Sequence, residues 1–363
     1  MSGSFSYEEK MNIFLENVDM KTRLMNTGPN QFAIKLDKYL KQKGHQTCTH
    51  SLELDPTQVN TAKDMYLRYP PTINLPWIPD VQVSFVEAIA ILKELLDSNQ
   101  PYVPLIQRLD GIYVDKTKDY MSQNNLILKT YKNADGIIFQ SNYSKNLAFK
   151  NFGECKNYTI INNGADHELI NSVKPFHTDK LHQYENVWSC ASNWRGSKRL
   201  IDNIRYFLEF SGEKDCLLVA GQANADYGNI VAQKLIASCN RVIFLGQLDA
   251  LALYSVYKRS KHFIHLSRYD ACPNVVVDAR AAGCHIICSS DSGTREVAGE
   301  DATVVVEDPW DFLPVDVDNP PTLDFKNIIQ NDIVSDISME SVVDKYIRYL
   351  SYVKESATRP NNP

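Results

Sequence analysis

The chain has 363 residues, 44% hydrophobic and 23% charged, the make-up of a globular protein too long for one comfortable core, so two domains are expected. Its formal net charge of −6 argues against a nucleic-acid binder, which would show a basic surface. Its 8 cysteines lack zinc-ligand spacing, no stretch is apolar enough to span a bilayer, and the first residues hold no apolar signal core, so reduced thiols in a cytoplasmic protein are the expectation.

The predicted elements begin with a strand over 11–15 (MNIFL), followed by a loop with Thr27 and Gly28. A helix comes next, with Phe32, Ala33, Leu36 and Leu40 on its apolar face and Lys35, Asp37, Lys38 and Lys41 elsewhere. Gly44 ends it and a second strand runs over 47–50, a βαβ opening. Gly28 would let a ligand approach the backbone closely; a plain turn explains it equally well.

Residues 55–79 read as irregular and Pro-rich, and 84–96 (SFVEAIAILKELL) as a strongly apolar helix. A strand over 102–106 then delivers Gln107, Arg108, Leu109, Asp110 and Gly111 to the edge of a crevice. An Asp–Gly turn and a functional Asp110 account for that ending equally. A helix over 124–132, a strand over 136–139, a helix from Ser141 and a strand over 159–161 complete the first domain, and 171–184 reads as a polar linker.

A second unit opens with a strand over 186–191 and a helix over 200–210. Between them stand Arg195, Lys198 and Arg199, three cations in five positions at a strand end and helix start, which on physical grounds make an anion site. Strands over 215–220 and 242–245 follow, the latter ending at Gly246, Gln247 and Leu248, and a helix covers 251–258.

The segment FIHLSRYDACPNVVVDARAAGCHIICSSDSGTRE, residues 263–296, then reads as strand, loop, helix, strand, loop. Pro273 fits the first helical position and Gly283 the stop. In an open parallel sheet, loops at the carboxyl ends of strands line the ligand crevice. The helix over 274–282 would point amides of Asn274, Val275 and Val276 into it, with the positive end of its dipole. A diphosphate could be held there without a metal. Asp270 lies on the loop before the helix and Asp278 within the helix, with seven residues between them. A strand over 302–306, a Pro- and Asp-rich loop over 309–321, an amphipathic helix over 339–352 and a disordered TRPNNP tail close the chain.

The spacing of Asp270, Pro273, Asp278, Ala279, Ala281, Gly283, Ile286, Ile287, Gly293 and Glu296 resembles the E-x7-E signature of retaining glycosyltransferases of the GT-B fold, family 4 in particular. The departure is that aspartates replace both glutamates, so each carboxylate is one methylene shorter. IIFQSNYSK followed by TIINNGAD also resembles that family's crossover toward the interdomain linker.

The resemblance implies two Rossmann-like α/β domains facing across a cleft, residues 1–183 on the acceptor side and 184–339 on the donor side, with a C-terminal helix near 340–355 packing back on the first. It implies that Lys198, with Arg195 as a substitute for the usual arginine, meets the donor diphosphate. Asp278 would meet the ribose hydroxyls, Asp270 the donor sugar, and the loop of Gly246 and Leu248 the base. Asp110 stands where many relatives have a histidine near the anomeric carbon.

The implied activity is retaining sugar transfer, of EC 2.4 type, from a UDP- or GDP-linked donor to a hydroxyl of a glycan, lipid-linked or protein-linked acceptor. No metal or other cofactor is required. No nucleic acid is expected as a partner, and a lipid-linked acceptor would bring peripheral membrane contact. The competing readings are a non-catalytic nucleotide-sugar or glycan-binding protein of the same fold and a GT-B nucleotide-sugar epimerase. G-x-G-x-x-G and Walker lysine loops are missing, which leaves dehydrogenase and NTPase readings without their key feature.

Overall fold

The computed structural model describes residues 9–16, 28–50, 75–88, 91–96, 99–222 and 239–357. The loop before Gly28, the irregular stretch up to residue 74 and the TRPNNP tail lie outside the described residues.

The first sheet holds six parallel strands: β1 (Asn12–Glu16), β2 (Gln46–His50), β3 (Val81–Phe85), β4 (Leu105–Leu109), β5 (Gly136–Phe139) and β6 (Tyr158–Ile160), in the order β2-β1-β3-β4-β5-β6. The second holds β7 (Asn186–Ala191), β8 (Asp215–Ala220), β9 (Val242–Gly246), β10 (His262–His265), β11 (His285–Ser289), β12 (Thr303–Val305) and β13 (Ile328–Gln330), in the order β13-β12-β11-β10-β7-β8-β9. Only the edge pair β12–β13 is antiparallel. Helices cover both faces of a parallel sheet, so its inner strands are buried throughout. Every residue of β3, β4 and β8 is buried accordingly.

Two stretches depart from the expected elements. Residues 84–96 do not form one helix: Ser84 and Phe85 complete β3, and among the described residues of this stretch only Leu92–Leu95 is helical. A continuous apolar run fits a buried strand as well as a buried helix, and periodicity cannot separate them. Pairing decides, because β3 is hydrogen-bonded to β1 on one side and β4 on the other. The strand expected over 102–106 is shifted to Leu105–Leu109. Pro104 lacks an N–H for the ladder, and its carbonyl accepts from Gln82 N at 2.9 Å. Gln107, Arg108 and Leu109 therefore lie inside the strand, and Asp110 stands just beyond it.

The Gly28–Gln42 helix buries Phe32, Ala33, Leu36 and Leu40 in the first core, and with them Lys35 and Asp37, which amphipathic spacing had put off that face. The last helix, Met339–Ser356, packs on this helix and places Val342, Val343, Tyr346, Leu350 and Val353 in the same core. Each such large apolar side chain contributes roughly 1.5–3 kcal/mol on burial. The helix is led there by a bridge between Ala165 and Ser338, with Ala165 N donating to Ile337 O at 2.7 Å.

Candidate active site

In the second sheet, β7 lies between β8 and β10, so the connections leaving it and arriving at β10 run to opposite sides. A crevice opens at such a switch point, beyond the carboxyl ends of the two strands. The loops that leave β7 and β10, residues 192–199 and 266–273, form its walls. They are tied together: Arg268 N donates to Ser197 O at 2.9 Å, and Asn203 bridges them, donating from Nδ2 to Lys198 O at 3.1 Å and accepting at Oδ1 from Leu266 N at 3.2 Å. Trp194, 2% exposed, anchors the first loop by donating from Nε1 to Ala220 O at 2.9 Å.

Lys198 Nζ pairs with Asp270 Oδ2 across this crevice, and the same oxygen meets His265 Nε2 at 3.2 Å. Burial disfavours charge on Asp270, but Lys198 and His265 prevail and hold its carboxyl well below the usual range. Burial pushes His265 down, against the pull of Asp270. The backbone is strained on both loops, with φ of 50° at Arg199 and 65° at Tyr269. Tyr269 is braced by Trp310, whose ring centre lies 4.8 Å away.

Arg195 is exposed, and its Nε donates to Ser197 Oγ at 3.3 Å. Arg199 is no part of the expected cationic cluster. It is 2% exposed, and its guanidinium donates to Glu307 at 3.0 and 2.8 Å and to Pro321 O at 2.8 Å. Two cations, not three, therefore remain beside the crevice.

The helix that follows the Asp270 loop is Asn274–Ala281. Val276 is fully buried and its amide donates to Pro273 O at 3.1 Å, which leaves Asn274 and Val275 as the residues at the open end of the helix. Asn274 Nδ2 donates to Gly28 O at 2.7 Å, so the starts of two helices from opposite lobes meet there. The side-chain oxygen of Asn274 is buried with no partner.

Asp278 faces the other lobe. Lys35 Nζ donates to its Oδ1 at 2.7 Å and to Gly164 O at 3.2 Å. Burial pushes the Asp278 carboxyl up, against the pull of Lys35. On the first lobe, Arg108 and Gln140 both donate to Asp110 Oδ1, while Asp110 Oδ2 is buried without a partner. Gly246 has φ of 70° and is exposed, and Leu248 is half-buried beside it.

Glu296, already part of the signature, finds partners that the sequence did not show, and other contributors were not anticipated from it. Glu296 accepts from Asn142 N at 2.8 Å and Tyr143 N at 3.0 Å, so a carboxylate of the second lobe caps the Asn142–Phe152 helix of the first. Asn163 Nδ2 donates to Cys272 O at 2.8 Å, and Asn163 is itself held by Arg108. His265 carried a signal, a polar ring at the end of an apolar strand. Lys35 carried a weaker one, a cation between Phe32 and Leu36.

Two parallel-dominated sheets, the second with a crevice at its switch point, and side chains meeting between them define the GT-B fold of two Rossmann-like domains. Solved structures agree. A glycosyltransferase from Rickettsia africae ESF-5 superposes with a TM-score of 0.62 at 13% identity, covering 96% of this chain and 100% of that one. Sucrose-phosphate synthase from Thermosynechococcus elongatus gives 0.61 at 13% identity, covering 95% and 97%. HepE from Anabaena, solved in complex with UDP-glucose, gives 0.56 at 13% identity, covering 95% and 99%.

Residues 191–312 match the family model described as Glycosyl transferases group 1, so the second lobe carries a domain of that family. No curated protein sequence matches it. Among the described residues, no helix is long and apolar enough to cross a membrane.

Proposed function

We propose that the enzyme transfers a sugar from a UDP- or GDP-linked donor to a hydroxyl of a glycan, lipid-linked or protein-linked acceptor, with retention at the anomeric carbon and without a metal. The pairing of Lys198 with Asp270 at the switch-point crevice carries this reading. The nucleotide-sugar part is supported by Anabaena HepE, which shares the fold and was solved with UDP and with UDP-glucose. The 8 free thiols suit a cytoplasmic setting.

Departure of the nucleoside diphosphate builds negative charge on its terminal phosphate. Lys198 leaves Asp270 to meet that charge, with Arg195 and the amides of Asn274 and Val275 beside it. Asp270, still held by His265, then turns its freed oxygen to hydroxyls of the donor sugar. Asp278 accepts from the ribose hydroxyls once Lys35 withdraws, and the backbone around Gly246 and Leu248 holds the base. Gly28 closes on the diphosphate from the first lobe. The unpartnered oxygen of Asp110 faces the reacting centre from the acceptor side. Closure of the lobes excludes water, so transfer outruns hydrolysis.

The test is turnover of a panel of UDP- and GDP-sugars by Lys198→Ala and Asp270→Asn. Each lowers kcat/KM by about 10²–10³-fold. Wild-type turnover in both would overturn the site, and an inverted anomeric carbon in the product, read by NMR, would overturn retention.

A further inference from the structure

We propose that His177, Asp179 and His182 form a binding site for a divalent transition-metal ion, of the Zn²⁺ class, in the segment that joins the two lobes. The site is separate from the sugar-transfer crevice and rests on local geometry alone.

The segment is pinned at two points. Phe176 N donates to Ser255 O at 2.8 Å, and Leu181, 3% exposed, is buried with Val187, Cys216, Leu218 and Val256. Between these anchors the chain makes a 3₁₀ turn, Asp179–Leu181, closed by Leu181 N donating to Thr178 O at 2.9 Å and His182 N donating to Asp179 O at 3.2 Å. The turn sends Leu181 inward and returns His182 to the side of His177 and Asp179. All three side chains are exposed, and one ligand atom from each lies within 4.8 Å of the others. The imidazole centres of His177 and His182 are 4.9 Å apart, and His182 Nε2 stands 4.0 Å from Asp179 Oδ1.

Zinc binds imidazole nitrogen at about 2.0–2.1 Å and carboxylate oxygen at about 2.0–2.2 Å, which puts neighbouring ligand atoms about 3.3 Å apart in a tetrahedron. Because the three side chains face solvent, small rotations about their own bonds bring them to that spacing without moving the anchored backbone. Two imidazoles with one carboxylate select Zn²⁺, Co²⁺, Ni²⁺ or Cu²⁺ over Mg²⁺ and Ca²⁺, which take oxygen. Three protein ligands leave a fourth position open to water or to an outside donor. Among the described residues this is the one group of histidine, cysteine, aspartate and glutamate side chains close enough to share an ion.

The experiment uses the full-length chain stripped with a chelator and titrated with Zn²⁺ by calorimetry, and with Co²⁺ followed by visible absorption. One ion binds per chain, and its Co²⁺ spectrum lacks the intense near-ultraviolet band of thiolate ligation. His177→Ala and His182→Ala each weaken binding about tenfold or more, while His167→Ala, on the neighbouring helix, leaves it unchanged. Because the altered side chains are exposed, the variants keep the wild-type circular dichroism and thermal midpoint in chelator. Equal Zn²⁺ affinity in the His177→Ala/His182→Ala double variant would overturn the proposal, as would a thiolate signature in the Co²⁺ spectrum.

Discussion

Lys35 and Asp278 are 243 positions apart in the chain, and their side chains meet at 2.7 Å between the lobes. Both are about nine-tenths buried, with side-chain exposures of 9% and 10%. A buried ion pair costs desolvation to form and is damaging to break from one side only.

Lys35→Met leaves the Asp278 carboxylate buried and unpaired, so it should cost about 3–5 kcal/mol. The double variant Lys35→Met/Asp278→Leu removes both charges and should recover much of that loss. Urea midpoints for the two singles and the double form the cycle. An unmoved midpoint in Lys35→Met would show that the pair does not join the lobes in solution.

His265 acts through Asp270, which makes it a positioning residue. Its replacement by Ala frees Asp270 to turn away from the sugar and should lower kcat about 10–100-fold, with KM changed much less. His265→Gln keeps a donor near the same place and should restore part of kcat. Steady-state kinetics of the two variants, with thermal midpoints as a folding check, decide the matter.

His262 offers a pH prediction. Burial first, then His285 and Lys261, push its pKa down to about 4. Its folded pKa is thus below its unfolded value of about 6.5. Above the unfolded value the ring is neutral in both states and contributes nothing to pH dependence. As pH falls from about 6.5 the unfolded chain takes up a proton that the native state refuses, so stability falls until about pH 4. Denaturation at neutral pH and at pH between those limits should show a smaller loss in His262→Gln than in the wild type.

Gly293 lies against the Asp270 loop, and its amide donates to Asp270 O at 2.8 Å. A Cβ there would come within 1.8 Å of Ala271 O and 2.7 Å of Ser141 Oγ. Gly293→Ala should therefore displace the Asp270 loop and reduce kcat/KM, by about 10²-fold if the shift reaches 1 Å. A variant with full activity would show that the loop position does not matter to transfer.

The parts that were legible in the sequence are those with local causes. The helix from Asn274 to Ala281 is announced by Pro273 and ended by Gly283, and its place at a strand end follows from the alternation of strand and helix. The helix Leu200–Phe210 and the strand Asp215–Ala220 fall where their apolar spacing puts them. Residues 84–96 are not one helix because a short, mainly apolar run suits a buried strand as well as a helix, and only the pairing of β3 with β1 and β4 separates the two. Arg199 was misassigned because its neighbours in sequence say nothing of Glu307, the carboxylate that neutralises it.

By itself the amino-acid sequence determined the two α/β lobes and the places where strand ends carry Lys198 and Asp270, because periodicity, caps and turns act over a few residues. The tertiary structure alone decided the partners: Lys35 for Asp278, Glu296 for the Asn142–Phe152 helix, His265 for Asp270. Charge and hydrogen bonding act through space, and only the closed arrangement of both lobes fixes which groups stand within reach of one another.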